Sequence, residues 1–119
     1  MARDSDITWH ASYVTLIEGN SVAAQVVAQV KHLISADERV LVTLDSVHNK
    51  AHVLAELESY APLVSVGSYI VAMDGIMSQV AGAPRTVPDW GWNNPQRGRL
   101  RVCRRKPGFR DCRAGILVQ

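Results

Sequence analysis

Apolar positions along the chain fall into short blocks separated by polar turns, and the spacing inside each block predicts what it forms. Tyr13–Ile17, YVTLI, is apolar and β-branched and runs into Glu18-Gly19-Asn20, which predicts a strand and a turn. Asn20 or Ser21 can cap the next segment. Val22, Val26, Val27, Val30, Leu33 and Ile34 recur at helical spacing through Ser35. After the polar link Ala36-Asp37-Glu38, Arg39–Leu44 (RVLVTL) predicts a second strand. It is apolar almost throughout, as expected of a strand covered on both faces. Asn49 or Lys50 to Tyr60 predicts a second helix with Val53, Leu54 and Leu57 on one face. Pro62 and Gly67 bracket a loop. Ser68–Met73 (SYIVAM) predicts a third strand that ends at Asp74-Gly75. Residues 75–96 lose the pattern and read as loop, with room for one short helix.

Strand–helix–strand–helix–strand predicts an α/β fold with parallel strands and right-handed crossovers. In such sheets ligands bind beyond the carboxyl ends of the strands. Glu18-Gly19-Asn20, Asp45 and Asp74-Gly75 all fall at those ends. If Asp45 and Asp74 end neighbouring strands, their carboxylates lie about 4.8 Å apart. Carboxylates that close repel unless one is protonated or a cation sits between them. Mg²⁺, with bonds of about 2.1 Å to oxygen, fits. His48 falls at or just before a helix N-terminus, where the dipole disfavours its charged form. A neutral imidazole there is a base for a substrate hydroxyl. Asp45 and His48 are therefore candidate catalytic residues, and Asp45 and Asp74 candidate metal ligands. The competing reading has the aspartates capping turns and the histidines packing on the helix. His48 and His52 also share a helix face. The zinc metalloprotease pattern needs Glu after the first His, however, and Asn49 stands there. Cys103 and Cys112 have no second pair and read as free thiols. Trp90-Gly91-Trp92 either lines a cleft or seals a loop onto the core.

The chain has 119 residues, enough for one domain. Apolar residues make up 47% and charged residues 20%, ordinary for a soluble protein. No apolar run approaches the roughly 20 residues of a membrane helix. The first residues, MARDSDITWH, lack the apolar core of a signal peptide, so the cytoplasm is the expected compartment. The net charge of +2 conceals a division. Residues 1–96 carry ten acidic and five basic residues, whereas residues 97–119 carry eight basic residues and only Asp111 as an acid. A change this abrupt predicts a boundary, with an α/β domain over 1–96 and a basic tail over 97–119. A basic tail also permits a non-enzymatic alternative, electrostatic binding of nucleic acid centred on Arg104-Arg105-Lys106. The tail has Phe109 as its single aromatic and no nucleic-acid motif, which speaks against it.

The motif residues resemble a known family. "IEGNS" after a strand, then "LVTLDSVHNKAHVLAELESYAPLVSVGSYIVAMDG", then a "P…W…NP" segment, are similar to the cephalosporin hydroxylase / rhamnosyl O-methyltransferase family. The resemblance runs from about Ile7 to Gln96 and is densest between Leu16 and Gly75. It implies a partial Rossmann-like methyltransferase fold with three mainly parallel strands, crossover helices and an irregular C-terminal tail. It implies S-adenosylmethionine and a divalent metal, Mg²⁺, as cofactors. The implied reaction is O-methylation of a small-molecule hydroxyl on a sugar, lipid or antibiotic intermediate, although the family name also covers hydroxylation. Asp45 and Asp74 match the metal ligands, and Gly19, Asn20 and Ser21 match the turn beside the cofactor's adenine. His48 and His52 match motif positions as well.

Three departures qualify these expectations. The family commonly has an acid directly before the residue corresponding to Asp74, and Met73 stands there. A thioether is a poor ligand for a hard cation, so a weak metal site is expected. The glycine-rich loop that holds the cofactor has no counterpart before Tyr13. The chain therefore reads as a fragment of the fold that binds cofactor weakly, exposes sheet edges and associates into homodimers, or as a half-domain completed by a partner chain. Finally, the tail lacks the family's "AVxEF" and "NPxF" features. Codons compatible with it, read one base later, can restore both. Residues 97–119 are therefore expected to be out-of-frame sequence and disordered.

Overall fold

The computed structural model describes residues 13–98 and the backbone of residues 116–118. Its centre is a β–α–β unit. Strand β1 (Val42–Leu44) leads through helix α2 (Lys50–Tyr60) and a 3₁₀ turn (Ala61–Leu63) to strand β2 (Tyr69–Ala72). The strands are parallel and in register, with Val42 opposite Ile70, Thr43 opposite Val71 and Leu44 opposite Ala72. The amide of Met73 extends the ladder by donating to the Leu44 carbonyl at 3.0 Å. Helix α1 (Ala24–Leu33) precedes this unit, and its Val27 and Val30 pack against the core.

The sequence dictates the bounds of α2. Asn49 is its N-cap, with Oδ1 accepting from the His52 amide at 2.8 Å. Val53, Glu56, Leu57 and Tyr60 recur at helical spacing and form the buried face. Pro62, inside the following 3₁₀ turn, prevents the α-helix from continuing. The core is Leu44, Val53, Leu57, Tyr60, Val64, Ile70 and Ala72, with Leu57 and Ile70 fully enclosed. Of the two parallel strands, Leu44, Ile70 and Ala72 face this core, while Thr43 and Tyr69 are exposed. Among the described residues the sheet is covered on one face, whereas the apolar run at 39–44 predicted cover on both. The ladder of β1 spans three residues of that run.

The predicted strand over Tyr13–Ile17 is not a strand in the structure. Its backbone joins no ladder among the described residues, and Tyr13 and Leu16 are almost fully exposed. A β-branched pattern gives a strand only where a neighbour accepts its hydrogen bonds. The third strand instead comes from the tail. Strand β3 (Ile116–Val118) pairs antiparallel with β2, giving the order β1–β2–β3 and a mixed sheet. The expectation of three mainly parallel strands thus holds for two of them. The expectations of disorder and of shifted reading frame fall on residues 97–119, most of which lie outside the described residues.

The segment predicted as loop after β2 contains a 3₁₀ helix (Gly75–Ser78) and, at residues 95–98, a helical turn. That turn has its own start signal. Asn94, fully buried, accepts from the Arg97 amide at 3.1 Å, and Pro95 follows at the first helical position. Gly98 then allows close approach to α2: a Cβ there would lie 2.9 Å from the Lys50 carbonyl oxygen. No helix among the described residues is long and apolar enough to cross a membrane.

Two substitutions test this account by urea unfolding. Leu57→Ala is expected to lose about 2–5 kcal/mol, because a fully enclosed side chain leaves a cavity. Asn49→Ala is expected to lose about 1 kcal/mol through the exposed first turn of α2. A loss of Leu57 stability below about 1 kcal/mol would contradict the packed core described.

Candidate metal centre and the polar face behind it

The parallel register places the ends of β1 and β2 side by side, and the residues that follow them converge. The Nε2 atom of His48 lies 3.1 Å from Asp74 Oδ2 and 3.6 Å from Asp45 Oδ1. One donor atom from each of the three residues lies within 4.8 Å of the other two. Asp45 comes from the end of β1, Asp74 from the end of β2, and His48 from the turn just before α2. Sequence reasoning placed Asp45 and Asp74 together, and the structure adds His48 between them.

The capping alternative does not describe these side chains. Asn49, not Asp45, caps α2, and Asp74 precedes the 3₁₀ helix without a side-chain cap bond. Asp74 also holds a left-handed backbone conformation, with φ 56° and ψ 28°. Asp tolerates this better than most residues, but the conformation is still a cost. The side chains of Asp45 and Asp74 are 63% and 52% exposed and that of His48 is 30% exposed, so the cluster opens to solvent. An ion pair at such exposure contributes about 0–1 kcal/mol. Stability alone is therefore a poor reason for two carboxylates to meet on one imidazole.

His52 is separate from this cluster. Its Nε2 lies 3.4 Å from Glu56 Oε1 and 3.2 Å from Ser21 Oγ. His48 and His52 do not converge on one point, and the metal-compatible group contains only His48. Glu56 is 2% exposed and collects hydrogen bonds from two loops. Ser21 Oγ and Ser46 Oγ each donate to its Oε1 at 2.6 Å. Because the Ser21 hydrogen goes to Glu56, its oxygen accepts from His52, which assigns the His52 proton to Nε2. One helical turn further along α2, the Tyr60 hydroxyl donates to the Ser21 carbonyl at 2.6 Å. Burial, and secondarily the nearby Glu56 charge, hold the Tyr60 phenol above its usual pKa. The second Glu56 oxygen, Oε2, is buried with no hydrogen-bond partner among the described residues.

The turn at Gly19, Asn20 and Ser21, predicted to lie beside a cofactor, is committed internally. Asn20 Oδ1 accepts from the Val22 amide at 3.1 Å, and the Asn20 carbonyl accepts from the Ala23 amide. Ser21 uses both its hydroxyl and its carbonyl on α2. Gly19, at φ 147°, makes room for a neighbour: an added Cβ would lie 2.8 Å from Val26 Cγ2. Gly19 and Asn20 are exposed and Ser21 is half-buried. Ser21 lines a cavity of about 350 Å³ whose wall also includes Asp45, Ser46, Glu56 and Tyr60.

Sequence reasoning also missed the outer supports. Asn93 Oδ1 accepts from the Lys50 amide at 2.9 Å, a second cap on α2, and its Nδ2 donates to Asp89. Gln96 Oε1 accepts from Ser78 Oγ at 2.6 Å and ties down the 3₁₀ helix after Asp74. The "WNNPQ" segment thus braces the chain on both sides of the cluster. Trp90 is half-buried and Trp92 64% exposed, so the tryptophans contribute less than the asparagines between them and Pro95.

Tyr60 supplies a pH test. Its folded pKa lies above the unfolded value, so the folded state holds the phenolic proton more tightly. Stability should be intact below pH ~10 and fall as pH rises from there through the folded pKa. Urea midpoints at pH 9 and pH 11 should show this drop, and Tyr60→Phe should reduce it. An equal drop in Tyr60→Phe would assign the alkaline loss to other groups.

No curated protein and no solved structure matches the chain. A family model described as rhamnosyl O-methyltransferase/CmcI matches residues 3–113. That match spans nearly the whole sequence and includes every residue of the cluster at the strand ends, so the chain belongs to the rhamnosyl O-methyltransferase/CmcI family.

Proposed function

We propose that Asp45, His48 and Asp74 hold a divalent cation beside a small-molecule hydroxyl, forming the metal-binding part of an O-methyl-transfer site. The observation that carries this reading is the convergence of the three donors at neighbouring strand ends. A coordination shell with bonds of about 2.1 Å has edges of about 3.0–3.4 Å between adjacent donors. The His48 separations of 3.1 and 3.6 Å are close to those edges. They favour Nε2 as a third donor over its use as a free base.

A cation at this position supplies positive charge that lowers the pKa of an adjacent hydroxyl. The residues do the rest. Asp45 and Asp74 bring two negative charges, and the cation relieves their mutual repulsion. His48 adds an imidazole nitrogen, which suits Mn²⁺ or Zn²⁺ better than Mg²⁺. Met73, 40% exposed at the end of β2, supplies no hard donor, and His48 fills the deficit that its thioether leaves. The family points to S-adenosylmethionine as methyl donor. Gly19, Asn20 and Ser21, the turn that the resemblance sets beside the cofactor, stand next to the loop that carries Asp45, with Ser21 and Ser46 bonded to the same Glu56 oxygen. The hydroxyl-bearing substrate would approach from the solvent side, where both aspartates are exposed.

Titration calorimetry with Mn²⁺ and with Mg²⁺ tests the reading. One Mn²⁺ per chain is expected, bound more tightly than Mg²⁺. Asp45→Asn and Asp74→Asn should each weaken Mn²⁺ by about tenfold or more, since changes to groups merely behind a metal ligand already cost 10–100-fold. His48→Ala separates the two uses of Nε2. A similar loss marks it as a ligand, whereas unchanged affinity returns it to the role of base. Mn²⁺ binding indifferent to both aspartates would overturn the metal centre.

A further inference from the structure

The polar face of α2 is a second constellation, and the metal reading does not use it. Three side chains, His52, Glu56 and Tyr60, stand at four-residue intervals on this helix and all turn toward one place. Between them they bind Ser21 Oγ, Ser46 Oγ and the Ser21 carbonyl. Ser21 belongs to the turn ahead of α1. Ser46 is the residue after Asp45. Both serines line the cavity, and one oxygen of one carboxylate receives both.

Burying a carboxylate is expensive unless its charge is matched by donors. Glu56 is almost fully enclosed, yet its Oε2 has no partner among the described residues, so the burial is not a solution for stability alone. An aliphatic side chain would fill the space without that cost, but it would connect neither loop. A charged acceptor with two hydroxyl donors at 2.6 Å is a short, directional clamp. The Tyr60 bond closes the Ser21 side a second time, and the His52 bond fixes the Ser21 hydroxyl so that its hydrogen stays on Glu56.

The geometry points to Glu56 as a positioning residue that clasps the 19–21 turn and the Asp45-Ser46 loop to α2, setting the width of the cleft and the placement of Asp45. Its connection to Asp45 rests on the metal reading, but the clasp itself does not. Ser21 and Ser46 are two independent arms that share the Glu56 oxygen. Glu56→Gln keeps an acceptor oxygen for both serines and removes the charge. Glu56→Ala removes both bonds at once. Ser21→Ala and Ser46→Ala each release one arm.

The experiment measures backbone order parameters by NMR for residues 19–22 and 45–47, and Mn²⁺ affinity by calorimetry, in the intact chain and the four variants. Glu56→Ala should lower order in both segments, from roughly 0.85 for rigid backbone toward 0.6. Ser21→Ala should loosen only 19–22, and Ser46→Ala only 45–47. Glu56→Gln should restore most of the order in both, which a generally destabilised helix would not allow. Mn²⁺ affinity should fall about tenfold in Glu56→Ala and Ser46→Ala, the low end for groups that hold a metal ligand from behind, and stay near the parent value in Ser21→Ala. If Glu56→Ala fails to fold, the two serine variants still decide the matter. Unchanged order in both serine variants, or loosening of both segments by either one, overturns the clasp. Clear Mn²⁺ binding that ignores Ser46→Ala overturns the placement of Asp45. If the intact chain binds no Mn²⁺ while the order parameters follow the expected pattern, the metal reading fails and the clasp stands.

Discussion

Two parallel strands cannot be joined by a tight turn; the chain must travel back along the sheet before the second strand starts. Here that return is α2, and most of the site follows from it. The crossover brings the carboxyl ends of β1 and β2 to the same edge, where Asp45 and Asp74 leave the sheet. It also starts α2 at that edge, so His48, in the turn that feeds the helix, meets both carboxylates. The register fixes the rest. Leu44 lies opposite Ala72, so Asp45 and Asp74 emerge within one residue of the same level, with Met73 bonded through its amide to Leu44. A slip of one residue would turn Ile70 and Ala72 away from the core and separate the carboxylates.

The same helix has two kinds of inner surface. Val53 and Leu57 face the sheet and are held by apolar burial. His52 and Glu56 face the loops and are held by hydrogen bonds, and Tyr60 does both, its ring in the core and its hydroxyl on the Ser21 carbonyl. These surfaces have different physical consequences. Apolar contacts are non-directional and tolerate small shifts. The bonds to Ser21 and Ser46 are short and directional, so they fix where loops sit rather than merely that they pack. The first turn of α2 is held in the same way. Asn49 from within and Asn93 from the distant 89–98 segment satisfy amides that a bare helix start would leave to water.

Legibility in the sequence followed the range of the determining interactions. Helix α2 was readable because its cap, its apolar spacing and its terminating proline are all local. The two parallel strands and the convergence of Asp45 with Asp74 were readable because alternating element order implies a crossover, and crossovers align strand ends. Tyr13–Ile17 misled because a strand exists only against a ladder partner, which composition cannot supply. The pairing of residues 116–118 with β2 was hidden for the same reason: an apolar triplet in a basic tail says nothing of which strand it joins. Glu56 drew no reading from the sequence. Its partners are 10 and 35 residues away, and only the stripe His52-Glu56-Tyr60 beside the apolar one hinted at burial. Asn94-Pro95 was an available start signal, a cap followed by proline at the first helical position, that the surrounding glycines and tryptophans obscured.

Energetics separates what holds the fold from what the site requires. The enclosed side chains Leu57 and Ile70 are each worth about 2–5 kcal/mol against truncation. The exposed cluster has no comparable term, since ion pairs in water contribute about 0–1 kcal/mol. Asp74 even carries a left-handed backbone, a cost that Gly at that position would avoid. Burial of Glu56 leaves one oxygen unsatisfied among the described residues, a second cost without a packing gain. Asp74 follows β2, and Glu56 reaches from α2 to Ser46 in the loop after β1. A chain selected for stability alone has no use for either. An uncommon backbone at Asp74 and an unmatched oxygen on Glu56 are costs that apolar burial does not explain, and both lie next to the side chains that converge on His48.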